Sequence, residues 1–375
     1  MRDVFVVSDN ILSPLGLTSV ENFSQLTKGV SGIRQRKHPE ISLKPFYASL
    51  LDEDYAKDDP QFTKFEKILV ESVGRALGES RFNAKDPETV FIMSSTKGNI
   101  SLLEREAVGH APDKKIALHR SAKLVASHFQ FVHEPIIISH ACISGLLAII
   151  TGMRLIQSGR FNHAVIAGAD IITYFIASGF HAFWAISHEP CKPFDAKRNG
   201  ISLGEGAATI ILSSNKENSE SKIKITGGAV SNDANHISGP SRTGAELNFA
   251  IRKALQQAGT TEKEIDFISA HGTATIYNDE MEAKAVTLAK MQSVPLNSLK
   301  GYYGHTLGAA GLIESIVSVH SLKNNIILPS LGFTEPGTSE TINVCTSLES
   351  GSFTKFLKTA SGFGGCNAAA VFSKT

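Results

Sequence analysis

Three short stretches of this chain end a strand-like run on a side chain able to do chemistry and then open a helix-like run. They are HACISG (140–145) with Cys142, HGTAT (271–275) with His271, and KGYYGHTLGAAG (300–311) with His305. A cysteine at a helix start meets free N–H groups and the positive end of the helix dipole, which lowers its pKa and favours the nucleophilic thiolate. The competing reading is a small core residue, the usual state of a free thiol. HGTAT by itself reads equally as a turn with a satisfied histidine, and the third stretch as tight helix packing with an incidental one. A thiol and two imidazoles in the same kind of junction, each flanked by small residues, shift the reading from three separate structural features toward one reactive site.

The elements that must carry these junctions are legible as apolar runs. Strand-like segments recur at VFVVS (4–8), VFIMSS (90–95), PIIIS (135–139), HAVIAGAD (163–170), AATIILS (207–213), KIKITGG (222–228), DFISAHG (266–272) and AAAVFS (368–373). FEKILVESVGRALGES (65–80) and AELNFAIRKALQQAG (245–259) have helical periodicity. Continuous apolar strands alternating with helices predict α/β sheets covered on both faces, some of them parallel. The polar interval SSNKENSESK (213–222) marks an internal boundary, giving an N-terminal half, 1–215, and a C-terminal half, 216–375. The halves resemble each other: VFIMSSTKGN answers DFISAHGTAT, and ISHACISGLLAII answers YYGHTLGAAGLIESI, with Cys142 and His305 at the same place. Duplication of one α/β unit, with loops of both copies lining one site, is the expected architecture.

At 375 residues, 42% hydrophobic and 19% charged, the chain can bury a large core, which sets aside disordered and fibrous classes. Lys plus Arg (37) cancel Asp plus Glu (36), so nothing in the net charge points to nucleic acid or an anionic membrane. Four cysteines without CxxC pairing, and a start, MRDVFVVSDNILSPLG, without a secretory apolar core, lead us to expect the reducing cytoplasm. The longest apolar stretch, 143–154, is broken by Gly145 and Gly152 and falls short of the roughly 20 residues a membrane span needs. HEPC (188–191) lacks a second ligand pair, so no metal site is expected.

ACISG, CKPFDAKRNGISLGEGA (191–207), HGTATIYNDEMEAKA (271–285), KGYYGHTLGAAGLIE (300–314) and SGFGGCNAAAVF (361–372) together resemble, in order and over nearly the whole chain, the elongating β-ketoacyl-[acyl-carrier-protein] synthases of the thiolase-like superfamily. The resemblance implies a five-layered αβαβα fold and a decarboxylating Claisen condensation. Cys142 would hold the acyl group, while His271 and His305 polarise the malonyl thioester. Lys300 would tune the second histidine, Glu314 would anchor a buried network, and Phe363 would gate the nucleophile, its N–H joining that of Cys142 in an oxyanion hole. Thr273 and Thr275 would bind the phosphopantetheine arm. Substrates would arrive on an acyl carrier protein, docked on Lys64, Lys67 and Arg198, with no cofactor of the enzyme's own. The family pattern also implies a dimer, with a second copy or with a related subunit. CKPFDAKRNG would brace the site floor, with Cys191 and Cys366 as core thiols.

The chain departs from that family at Ile276, Lys192, Asn199 and Ile201. Ile201 replaces a phenylalanine expected against the malonyl group. The stretch from Gly98 to Ile136 is abbreviated, which predicts an altered acyl tunnel and a dedicated pathway such as polyene or aryl polyene assembly. The alternative is a chain-length-factor-like subunit that shapes a partner's tunnel without catalysing condensation. Such subunits generally lack the cysteine.

Overall fold

A computed structural model describes residues 2–374 apart from 53–54, 56–58, 60, 81 and 105–113. The predicted strands are present, HAVIAGAD residue for residue. They are β1 (Phe5–Leu12), β2 (Thr89–Ser94), β3 (Ile136–Ile138), β4 (His163–Asp170), β5 (Gly206–Ser213), β6 (Ile223–Asn232), β7 (Phe267–Ser269), β8 (Leu296–Asn297), β9 (Lys355–Gly362) and β10 (Cys366–Lys374). Of these ten, β8 and β9 have no counterpart among the apolar runs. In β9, KFLKTASG, a lysine sits in mid-strand and breaks the apolar pattern.

The first five strands lie in the order β3-β2-β4-β5-β1 and the last five in the order β8-β7-β9-β10-β6. Numbered within its half, each sheet therefore reads 3-2-4-5-1. The first three neighbours are parallel, and the fourth and fifth strands of each order run antiparallel to theirs. The sheets join edge to edge at the pair Phe5↔Lys224, where the Ile225 amide donates to Val4 O at 2.9 Å.

Helices fill three layers around them. α1 (Ser19–Thr27), α2 (Lys64–Gly78), α3 (Leu118–Phe129), α4 (Ser144–Gln157), α5 (Tyr174–Ala182), α6 (Ala245–Ala258), α7 (Ile276–Leu288) and α8 (Ala310–Asn324) are the longer ones. α2 begins on a Thr63/Glu66 capping box and buries Phe65, Ile68, Leu69, Val73 and Ala76, one stripe at helical spacing, against the first sheet. α6 and α7 cover the second sheet's outer face. α4 and α8 lie between the sheets, and every residue of α8 from Ala310 to Leu322 is buried. A helix apolar all round has no solvent face, and this one is central. The layers run αβαβα, as expected. The abbreviated stretch 98–136 falls partly on 105–113, outside the described residues. Among the described residues no helix is long and apolar enough to cross a membrane.

Candidate active site

The three motifs meet where α4 and α8 start. Ligand atoms of Cys142, His271 and His305 all lie within 4.8 Å of one another, and all three residues are buried. They open on a cavity of about 480 Å³, also lined by Thr273, Thr275, Ile201, Phe180, Phe183 and Phe363. Each motif holds a non-glycine residue in the left-handed region beside its functional side chain: Ala141 (φ 46), Ala274 (φ 63) and Leu307 (φ 51). Such conformations cost on the order of 1–3 kcal/mol and persist where the surroundings enforce them.

At the nucleophile elbow, Ser144 Oγ accepts the His140 amide (2.7 Å) and donates to Ala141 O (2.6 Å), locking the turn. The His140 carbonyl also accepts the Cys366 thiol, with Sγ at 3.8 Å. The expected low pKa of Cys142 is corrected by the structure. Burial pushes the thiol up to about 12, neighbouring Cys366 adds to the rise, and the pull of Lys300 does not offset them. At the helix start, the Ile143 amide donates to Cys366 Sγ and the Ser144 amide to Ala141 O (3.3 Å). A backbone hydrogen bond from the Phe363 N–H does reach the Cys142 thiol. Phe363 is partly exposed, and its ring meets Phe180 and Phe183 at 5.7 and 5.5 Å. Gly364 and Gly365 follow it at φ 84 and 76, a turn few other residues adopt.

Both histidines are held neutral, their pKa values pushed well below the usual range by burial first and the Lys300 charge second. His305 Nδ1 accepts the Leu307 amide at 3.2 Å, and His271 Nδ1 faces Lys300 Nζ at 3.3 Å. With Nδ1 unprotonated in each ring, the proton sits on Nε2, and both imidazoles are donors toward the cavity. The three side chains could span a metal ion by distance alone, but the enforced tautomers suit donation rather than ligation.

Behind His271 lies a buried ionic cluster. Lys300 Nζ contacts Glu314 Oε1 (2.7 Å) and His271 O (2.6 Å), and Lys358 Nζ lies 2.7 Å from Glu314 Oε2. The HGTAT loop is braced from α7. Asp279 accepts the amides of Phe194 (2.7 Å), Thr273 (2.8 Å) and Ala274 (3.1 Å), and Glu282 accepts those of His271 (2.9 Å) and Gly272 (2.5 Å). The Thr273 and Thr275 hydroxyls bond each other at 2.8 Å. Asp170, at the end of β4, accepts the Gly308 amide at 2.7 Å and so ties the His305 turn to the other half. Through Phe194 and a contact of Cys191 Sγ with Lys300 O (3.3 Å), CKPFDAKRNG braces this floor as expected.

Sequence reasoning did not find Asp170, Asp279, Glu282, Lys358, Phe180 or Phe183. The i, i+3 carboxylates of NDEME, just past the HGTAT loop at a helix start, were a usable signal for two of them. No motif pointed to Lys358.

The three expected docking cations are engaged within the fold. Arg198 is 8% exposed and donates to the carbonyls of Asp195 (3.0 Å), Ile276 (3.3 Å) and Gly337. Lys64 pairs with buried Glu205 at 2.8 Å, and Lys67 with Asp59 at 3.1 Å. Arg198 is therefore a buried donor to three carbonyls and not a surface charge.

The family models for the β-ketoacyl synthase N-terminal domain and C-terminal domain match residues 1–218 and 223–334. The chain belongs to the β-ketoacyl synthases, acyltransferases of the condensing-enzyme class with a thiolase-like fold. It is 29% identical to 3-oxoacyl-[acyl-carrier-protein] synthase 2 of Vibrio cholerae, over all of this chain and 99% of that one. It is 25% identical to a putative mitochondrial 3-oxoacyl-[acyl-carrier-protein] synthase of Schizosaccharomyces pombe, again over 100% and 99%. Among solved structures, the ishigamide ketosynthase/chain length factor superposes with a TM-score of 0.91 at 25% identity, covering 100% of this chain and 99% of that one. A β-ketoacyl synthase from Burkholderia phymatum does so with 0.88 at 23%, covering both chains fully.

Proposed function

We propose that this protein condenses malonyl-acyl-carrier-protein with an acyl group held on Cys142, releasing carbon dioxide and β-ketoacyl carrier protein. The observation that carries the reading is the convergence of a buried thiol with two imidazoles whose Nδ1 atoms are both engaged, so that two Nε2–H donors face one point beside sulfur.

In the first half-reaction Sγ attacks the acyl thioester. The carbonyl oxygen collects charge against the Phe363 N–H, the carrier's C–S bond breaks, and the thiol proton leaves with the carrier's sulfur. In the second, malonyl thioester oxygen lies against the Nε2–H groups of His271 and His305. The bond to the carboxylate breaks, carbon dioxide departs, and the electron pair becomes an enolate stabilised by those donors. Its carbon attacks the acyl carbonyl, the C–S bond to Cys142 breaks, and the sulfur takes up a proton from solvent, replacing the one that left with the first carrier. Neutral imidazoles fit this role, because each presents a fixed N–H donor that is far too weak an acid to protonate the enolate oxygen.

Thr273 and Thr275, which line the cavity, suit the phosphopantetheine arm that carries the substrates, and no resident cofactor enters the reaction. Phe180, Phe183, Phe363 and Ile201 in the cavity lining support an unsaturated or aryl chain and a polyene-type pathway. We take the chain as two halves, 1–215 and 216–375, supported by the repeated strand order. The half-buried edge strand β3 supports pairing with a second synthase-like subunit. Four free cysteines accord with a reducing cytoplasm. A chain-length-factor role has no need of the complete donor set.

Intact mass after incubation with a panel of acyl carrier proteins tests this. Acylation should occur on Cys142 and vanish in Cys142→Ala, and His271→Ala or His305→Ala should each slow malonyl-carrier decarboxylation about 100-fold to 1000-fold. No acylation of the wild type by any carrier would overturn the reading. Equal elongation of saturated long-chain starters would remove the polyene assignment.

A further inference from the structure

Lys358 is one of the most deeply buried side chains in the protein, with no exposed surface, in the middle of β9. Its ammonium donates to Ser269 O (3.1 Å) and Ala270 O (3.2 Å), the two residues before His271, and pairs with the second oxygen of Glu314. Lys300 grips the next carbonyl, that of His271, and the first oxygen of the same carboxylate. Three successive carbonyls leading to His271 are thus held by two ammonium groups that share one carboxylate.

Burying a lysine without a partner of its own is costly, and an apolar residue would fill the middle of β9 more cheaply. The cluster's charge accounts for its presence. Within the Lys300–Glu314–Lys358 triad one carboxylate faces two ammonium groups, so the triad carries one surplus positive charge in a dry, weakly screened region behind His271, next to the Glu282 carboxylate that accepts the His271 amide. A single lysine paired with Glu314 would leave none.

We propose that Lys358 is a positioning residue of the condensing site: by occupying Glu314 and the carbonyls before His271, it keeps the Lys300 charge available to His271 Nδ1 and holds that ring as a neutral Nε2–H donor for the enolate. This rests on the function proposed above. The charged and titratable groups around His271 are Lys300, Glu314 and Lys358 behind it, His305 and Cys142 across the cavity, and Glu282 beneath its amide. Lys358 and Lys300 both act on His271 in the same direction, against protonation.

The test compares wild type, Lys358→Met and the double variant Lys358→Met/Glu314→Gln. It uses histidine NMR titration of His271 and the pH profile of malonyl-carrier decarboxylation. Lys358→Met reduces the cluster to zero net charge, so the His271 pKa and the acid limb should rise by about one pH unit or more. The double variant restores one positive charge and should bring both back toward wild type, although it has lost more contacts. A merely structural lysine predicts an unmoved titration in Lys358→Met and a double variant further from wild type than the single; either result overturns the proposal. If Lys358→Met does not fold, the double variant alone decides, since a His271 pKa raised by a unit there contradicts charge control. The NMR titration needs no turnover, so a wild type that neither acylates nor decarboxylates would defeat the functional reading while leaving this measurement to stand or fall separately.

Discussion

Gly145 and Gly311 occupy reciprocal positions at the centre of the molecule. A Cβ on Gly145 would lie 2.7 Å from the amide nitrogen of Leu312, and one on Gly311 would lie 2.7 Å from that of Leu146. α4 and α8 therefore pack backbone against backbone, each on the other's glycine, in a local two-fold arrangement. Gly145 lies three residues after Cys142, whereas Gly311 lies six after His305. The extra three residues are the short turn Leu307–Ala309, which sets His305 back from its helix. Cys142 and His305 thus share a junction but not a register.

Alanine at either glycine forces these helices apart. We expect Gly145→Ala and Gly311→Ala each to cost about 1–3 kcal/mol in urea unfolding. Acylation of Cys142 should fall with them, since both helices carry the site. Wild-type activity in either variant would show that the contact yields without moving it.

The buried thiol makes a pH prediction. With the Cys142 pKa pushed up to about 12, its thiolate fraction, and so its alkylation by iodoacetamide, should climb about tenfold per unit from pH 6 to 9. Intact mass after timed quenching reads the rate. A plateau near neutrality would mean that the helix start outweighs burial.

Asp279 is raised to about 6, burial being the main cause, while three backbone amides hold it in place. A carboxyl whose folded pKa exceeds its unfolded value binds more protons folded than unfolded in that interval, so its contribution to stability falls as pH rises from about 4 to 6. Relative to Asp279→Asn, the wild type should lose on the order of 3 kcal/mol across that window. Parallel stability curves for the two proteins would refute it.

Arg198 gives a prediction opposite to that for a docking residue. Arg198→Ala should lower stability by about 2–3 kcal/mol, because three carbonyls lose a charged donor. The salt dependence of carrier acylation should not change. A flattened salt dependence in a stably folded variant would return Arg198 to the carrier surface.

The sequence by itself determined the apolar strands, the two helical periodicities tested above, and the three junctions carrying Cys142, His271 and His305, because period and turn chemistry are local. It also showed the duplication, later visible as one strand order used twice. Only the tertiary structure decided how those junctions behave. The thiol's pKa depends on burial and on Cys366, more than two hundred residues away in the chain. The role of Arg198 depends on the three carbonyls that accept its donors in the interior. Lys358 reads as an interruption of a strand until β9 sets it beside Glu314 and the carbonyls before His271. Charge, burial and hydrogen-bond partners are properties of neighbours in space, and in a fold that interleaves two halves those neighbours are remote in sequence.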